Sequence, residues 1–305
     1  MPHTMRTIGV AIVACALGGL AAACSSSPST PSASSGPNVT IGSTNFPEQV
    51  IVANLYADVL KHAGAKVTVR ANLGTREAVE PALAAGQLDL YPDYAGTLLI
   101  FLNMNDSQAA TQTSTAVPAL KRLLSPHGAT VLNPAPALDS NVFAVTHATA
   151  SKYHLTTLSS LSSAANQLIL GGPPECPQRP LCLVGLQNTY GLHFKSFTSL
   201  DEAGPITVSA LNSGEVQVAE LFSSDGNIVA NNFVQLTDDK HLQPADYVIP
   251  VIRKSVATPA ITSALNGLSA KLTTEQLSQL NIKVSVDHGD PATVAQQWIT
   301  QEHLG

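Results

Sequence analysis

The sequence predicts an α/β fold built on a parallel sheet, from three observations: short apolar strands alternate with amphipathic helices, one helix–glycine–strand unit recurs in the second half, and the length suits two domains. About 38 of the 305 residues, all at the start, do not read as folded protein. The remainder accommodates two domains of roughly 100–150 residues each.

The elements follow in order. A strand over residues 39–42 leads into a helix over 47–62, where Ile51, Leu55 and Val59 recur every fourth residue with Val52 and Tyr56 beside them, and Gly64 supplies the stop. A strand over 66–70 comes next. Thr75 is placed to cap a further helix that ends before Gly86 and carries Pro81 inside it, and a strand over 88–91 follows. The unit Ala82-Leu83-x-x-Gly86-Gln87-Leu88-Asp89-Leu90 is echoed by Ala210-Leu211-x-x-Gly214-Glu215-Val216-Gln217-Val218, so two equivalent α/β units are expected, one in each half. Ligands of open α/β sheets bind beyond the carboxyl ends of the strands, here residues 91–97 and 219–225. A solvated Pro-rich stretch at 133–138 and an extended segment at 141–146 read as a crossover between domains. A second crossing is expected near 247–251, and Thr273-x-x-Gln276 fits a capping box for a late helix.

Apolar residues make up 44% of the chain and charged ones 12%, a compact composition without disordered acidic or basic blocks. The net charge of −6 is scattered, and no Lys/Arg cluster is present to neutralise a phosphate backbone, so nucleic acid is excluded as a partner. Residues 1–23 read as an export signal: a short head with Arg6, an apolar run shorter than the ~20 residues of a membrane span, and small residues before Cys24. Ala21-Ala22-Ala23-Cys24 followed by three serines is similar to a bacterial lipoprotein processing site, which would acylate Cys24; the alternative is an ordinary cleaved signal with a spare cysteine. Residues 24–38, rich in Ser, Pro, Gly and Ala, are a tether. Cys176 and Cys182 remain, with five residues between them in a Pro-rich loop. Export favours a structural disulfide, since the spacing is not that of a thiol oxidoreductase and a zinc site lacks further soft ligands nearby.

Four stretches, Ile41-Gly42-Ser43-Thr44-Asn45-Phe46-Pro47-Glu48-Gln49, Leu88 through Thr97 with its Tyr91-Pro92-Asp93-Tyr94 core, Tyr190-Gly191-Leu192 and Phe222-Ser223-Ser224-Asp225-Gly226, together with the 291–304 tail, resemble the osmoprotectant-binding proteins of ABC importers. These bind glycine betaine, choline, carnitine or proline betaine. The resemblance implies a two-lobed periplasmic-binding-protein fold of the type II kind with two crossover strands. Lobe 1 is expected to span residues 39–138 plus 248–305, and lobe 2 residues 139–247. It further implies a monomeric, lipid-anchored extracytoplasmic protein that hands a small organic solute to a permease and an ATPase, with no cofactor, no metal and no catalysis. Family ligands carry a quaternary ammonium held by aromatic faces and a carboxylate held by Arg, Lys or hydroxyl groups.

Carried over residue by residue, Tyr94 matches a tyrosine of the aromatic box, Thr97 the hydroxyl that meets the carboxylate, Arg179 the carboxylate-binding arginine, and Asp139 a position contributing its backbone carbonyl. Thr44 stands where the family commonly has Lys, flanked by Asn45 and Phe46. Asn141 and Phe222 fill box positions often held by Tyr, and Asp246 takes the last aromatic position with Tyr247 beside it. The bland alternatives are a core role for Tyr94 and Phe222 and a solvated surface role for Arg179. These departures imply weak glycine betaine binding and a preference for a bulkier quaternary amine or another polar or phenolic solute. An extracytoplasmic hydrolase is the rival class, but Gly-x-Ser-x-Gly, His-Glu-x-x-His and phosphate-cradling glycine loops are all missing from the sequence.

Overall fold

The computed structural model describes residues 36–103 and 112–305; the expected signal, Cys24 and most of the tether lie outside them. The described chain forms two five-stranded sheets. The first contains β1 (Asn38–Gly42), β2 (Lys66–Arg70), β3 (Leu90–Tyr94), β4 (Ala129–Val131) and β10 (Val248–Arg253), in the order β2-β1-β3-β10-β4. The second contains β5 (Asn141–Thr146), β6 (Ile169–Gly172), β7 (Ser196–Ser199), β8 (Val218–Phe222) and β9 (Phe233–Leu236), in the order β7-β6-β8-β5-β9. Both sheets are mixed rather than parallel. In each, four strands run in one direction and the strand entering from the other half, β10 or β5, lies antiparallel to both its neighbours. The physical reason is the crossing itself, which delivers the chain to the sheet from the opposite end.

Helices cover both faces of each sheet, and the sequence period shows how. In β10, Val248 and Ile252 enter one core while Ile249 and Val251 enter the other. In β5, Phe143 and Val145 face one side while Val142 and Ala144 face the other. Such two-sided burial is what makes a central strand apolar throughout. Helix α1 (Pro47–His62) begins with proline at its first position, with Phe46 as N-cap and Glu48 in the first turn, and it buries Ile51, Val52, Leu55, Tyr56 and Val59. Fully burying one such aliphatic side chain contributes about 1.5–3 kcal/mol. Helices α9 (Pro259–Lys271), α10 (Thr274–Asn281) and α11 (Pro291–Gln301) join the same core through Leu265, Leu277 and Trp298. The Thr273–Gln276 capping box is present.

The recurrent unit is structural. Helices α2 (Arg76–Ala84) and α7 (Pro205–Ser213) each end on a glycine with positive φ, 74° at Gly86 and 76° at Gly214, a conformation open to a residue without a Cβ. Thereafter Leu88 N–H donates to Ala82 O and Val216 N–H to Ala210 O (3.3 and 3.2 Å), while Asp89 N–H reaches Thr40 O and Gln217 N–H reaches Ile169 O (2.8 and 3.1 Å). Because Leu88 still serves the end of α2, the strand expected at 88–91 starts at Leu90 and continues to Tyr94, where Val248 pairs with it. Thr75 occupies the N-cap of α2, yet its hydroxyl donates to Glu77 Oε2 instead of the helix backbone.

The segment 141–146 is a strand of the second sheet, not the crossing. The crossing lies just before it, where Leu138 bridges Tyr247 antiparallel, Asp139 N–H donates to Asp246 O (2.8 Å) and Val248 N–H to Ala137 O (3.0 Å). The outgoing and returning chains thus brace each other. Ala135 and Ala137 in the Pro-rich stretch are buried rather than solvated.

Candidate functional site

The carboxyl ends of β3 and β8, the N-termini of α1 and α3 (Ala95–Leu102), the crossing and the loop closed by the Cys176–Cys182 disulfide converge on one cavity of about 410 Å³. Phe46, Tyr94, Thr97, Asp139, Asn141, Arg179, Phe222 and Asp246 line it. Three residues expected there do not. Thr44 is buried behind the wall, where its hydroxyl finds no hydrogen-bond partner among the described residues. Asn45 is exposed, and its amide meets Glu202 Oε2 (2.9 Å) and Gly74 O (3.3 Å), both acceptors, which assigns the nitrogen to that side as donor. Tyr247 uses its backbone carbonyl to accept the Ala95 N–H (3.1 Å), which fixes the start of α3, and its side chain is not part of the lining.

The apolar wall is aromatic. Phe46 stacks on Phe222 with centroids 4.5 Å apart and lies 6.3 Å from Tyr94. Ile100, Phe101 and Leu181 extend the wall, and none of the three was marked by a motif in the sequence.

Beneath this wall sits a buried polar hub. Tyr94 Oη donates to Glu48 Oε1 (2.5 Å), while Ser224 Oγ and Asn281 Nδ2 donate to Glu48 Oε2, the latter at 2.5 Å. Asp139, also in contact with Glu48, accepts from Ser224 N–H (2.8 Å) and Ser223 Oγ (3.1 Å). Burial pushes both carboxyls up despite these donors, and the charge of Glu48 raises Asp139 further. The tyrosine hydroxyl is therefore committed to the hub, which leaves its ring as the part presented to the cavity. Asp139 lines the cavity while its side chain accepts from the loop after β8.

Every cationic or hydroxyl donor expected to meet a ligand carboxylate is already engaged by the protein. Arg179 forks onto Glu77 (Nε to Oε1 3.2 Å, Nη2 to Oε2 2.9 Å) and also lies 3.0 Å from Glu175 Oε1 and 3.5 Å from Glu202 Oε1. Its side chain is 17% exposed, so it is not a surface residue. Thr97 donates its backbone N–H (2.7 Å) and its hydroxyl to Asp246, so that Asp246 satisfies the first turn of α3 from a distant part of the chain. Arg76, absent from the sequence reading, chelates Asp93 with three contacts of 2.6–3.0 Å. Burial would raise the Glu77 carboxyl, but the bonds and charge of Arg179 outweigh it and hold it down to about 2. Burial dominates at the others and lifts Asp246 to about 6, Glu202 to about 7 and Glu220, behind the disulfide, to about 8. Glu220 Oε2 lies 3.1 Å from Cys182 Sγ, which carries no hydrogen in a disulfide, so a protonated Glu220 is the donor of that contact. The same three side chains do not form a metal site, because the sulfurs are bonded to each other.

Five carboxyl side chains against two guanidiniums line the cavity, and the uncharged amides of Asn141 and Gln178 have no hydrogen-bond partner among the described residues. The missed residues Glu77, Glu175 and Glu202 carried no local signal. Arg76 alone had one, an arginine in the first turn of a helix leading toward the Pro-Asp-Tyr stretch.

Comparison with known proteins supplies the context. The family described as the substrate binding domain of ABC-type glycine betaine transport systems matches residues 37–301. The chain is 28% identical over 275 residues to the glycine betaine-binding protein YehZ of Escherichia coli, covering 87% of this chain and 90% of that protein. It is 26% identical over 281 residues to the carnitine transport binding protein OpuCC of Listeria monocytogenes, covering 88% of each. Among solved structures, one of a glycine betaine/carnitine/choline ABC transporter superposes with a TM-score of 0.68 at 25% identity, covering 87% of this chain and 99% of that one. The apo structure of YehZ gives 0.63 at 26% identity, covering 89% and 100%.

Proposed function

The chain belongs to the family of substrate-binding domains of ABC-type glycine betaine transport systems, and from that membership we propose that its cleft captures a small quaternary-ammonium solute outside the cell membrane and delivers it to an importer. The family is one of transport proteins rather than enzymes. The observation that carries the choice of solute is the wall formed by Phe46, Tyr94 and Phe222 at the ends of two equivalent strands. A quaternary ammonium offers no N–H to donate, so ring faces are its natural partners. Residues 39–138 with 248–305, and residues 139–247, act as two lobes that close on it about the braced crossing. Cys24 is the acylated N-terminus and the segment to residue 38 the tether, which would appear as a diacylglyceryl adduct in native membranes; the chain works as a monomer with a permease and an ATPase.

Thermal shift and calorimetry on ligand-stripped mature protein test this reading with a panel of betaines, choline, carnitine, amino acids and sugars. Stabilisation by trimethylammonium compounds alone is expected. Stabilisation by sugars or amino acids and by no quaternary amine would replace the proposed solute class.

A further inference from the structure

Resting on that reading, we infer that Glu77, with Glu175 and Glu202, determines the specificity of the cleft by occupying Arg179, so that the site prefers organic cations bearing a neutral polar group over those that carry a carboxylate. Glu77 belongs to α2 of the first sheet and Arg179 to the disulfide loop of the second, 102 residues away, yet the two meet as a fork at 2.9 and 3.2 Å. A guanidinium has five N–H donors and no acceptor. Glu77 takes the edge formed by Nε and Nη2, Glu175 Oε1 lies 3.0 Å from Nη2 and Glu202 Oε1 lies 3.5 Å from Nη1, so carboxylates flank the guanidinium at all three of its nitrogens. The two other donors suited to an anion are held by Asp93 and Asp246. An incoming carboxylate would have to displace Glu77 from a guanidinium that is itself 17% exposed and would then sit among the carboxylates around it, a doubly unfavourable exchange. The cationic end meets the opposite situation, with aromatic faces and surplus negative charge. The free amides of Asn141 and Gln178 suit a hydroxyl.

Choline and glycine betaine share the trimethylammonium group and differ in having a hydroxymethyl or a carboxylate beyond it, so they isolate the point. Calorimetry on the ligand-stripped mature chain is expected to give at least tenfold tighter binding of choline. Glu77→Gln, near-isosteric at a side chain 41% exposed, should narrow that preference at least fivefold by loosening the fork on Nε and Nη2 of Arg179, and Glu175→Gln should narrow it by removing the charge 3.0 Å from Nη2. Equal or tighter binding of glycine betaine by the unaltered protein overturns the inference, as does a preference that neither variant changes. Binding of neither compound also overturns it, and a stabilising shift with any other quaternary amine would then leave the transport reading standing.

Discussion

Tyr94 and Phe222 occupy the same position in two copies of one structural unit: each is the last residue of a central strand, four residues beyond the matched pair Leu90 and Val218. Each is also paired across the sheet to the strand that has just crossed, Tyr94 to Val248 and Phe222 to Asn141. Phe46 lies between the two rings. The aromatic wall is therefore a product of the internal repeat, with one ring supplied by each half.

Phe222→Ala removes one of these rings and the partner on which Phe46 stacks. A cation loses about 0.5–2 kcal/mol per aromatic face, so affinity for a quaternary amine should fall about 2- to 30-fold, with Phe222→Tyr restoring it. Calorimetry with choline reads the difference, and an unchanged constant in the alanine variant would return Phe222 to a purely packing role.

Glu48 is the hub on which α1, β3, the loop after β8 and α10 depend. Glu48→Ala strands the Tyr94 hydroxyl in a buried site, takes the acceptor from the Ser224 hydroxyl, and leaves the Asn281 amide donating only to Ser224. The expected loss is about 2–4 kcal/mol of unfolding free energy in urea, with Glu48→Gln recovering part of it. A loss below about 1 kcal/mol would mean that water or rearrangement satisfies the three groups.

Stability should fall as pH rises. Asp246, Glu202 and Glu220 titrate near their ordinary values, 3.8 for the aspartate and 4.5 for the glutamates, when unfolded but near about 6, 7 and 8 when folded, so between these limits the folded state holds more protons. The slope of stability with pH is then negative from about pH 4 to 8. Glu77 acts in the opposite sense below about pH 4, but it is partly exposed and contributes little. Urea unfolding at pH 5 and pH 8 should find the protein less stable at pH 8; equal stability would place these carboxyls in wetter surroundings.

The disulfide closes a short loop that carries Arg179. On the chain-entropy account a ring of this size stabilises the fold by about 2–3 kcal/mol, so the Cys176→Ser/Cys182→Ser pair should unfold at correspondingly lower denaturant. Both cysteines of the exported protein should also resist alkylation until a reductant is added. Labelling without reductant would contradict the bond.

Much of this molecule is legible in its sequence because local order is written in local periods. The fourfold recurrence in α1, the glycine that ends α2 and its echo at Gly214, and the Thr273–Gln276 box each depend on residues within one turn or one strand of each other. The motifs around Tyr94 and Phe222 were visible for the same reason, and eight of the eleven expected ligand residues meet at one cavity.

What the sequence by itself determined is therefore the alternation of elements, their two-fold repetition and the place where the strand ends meet. Only the tertiary structure decided the direction of β5 and β10, which follows from the end at which the crossing delivers the chain. It also decided which way Thr44, Asn45 and Tyr247 turn. The charge state of the cleft is the furthest from sequence, because ion pairing follows distance in space and not spacing along the chain. Glu77 and Glu202 stand 102 and 23 residues from Arg179. No local pattern records that their carboxylates, and not a solute's, are the ones its guanidinium meets.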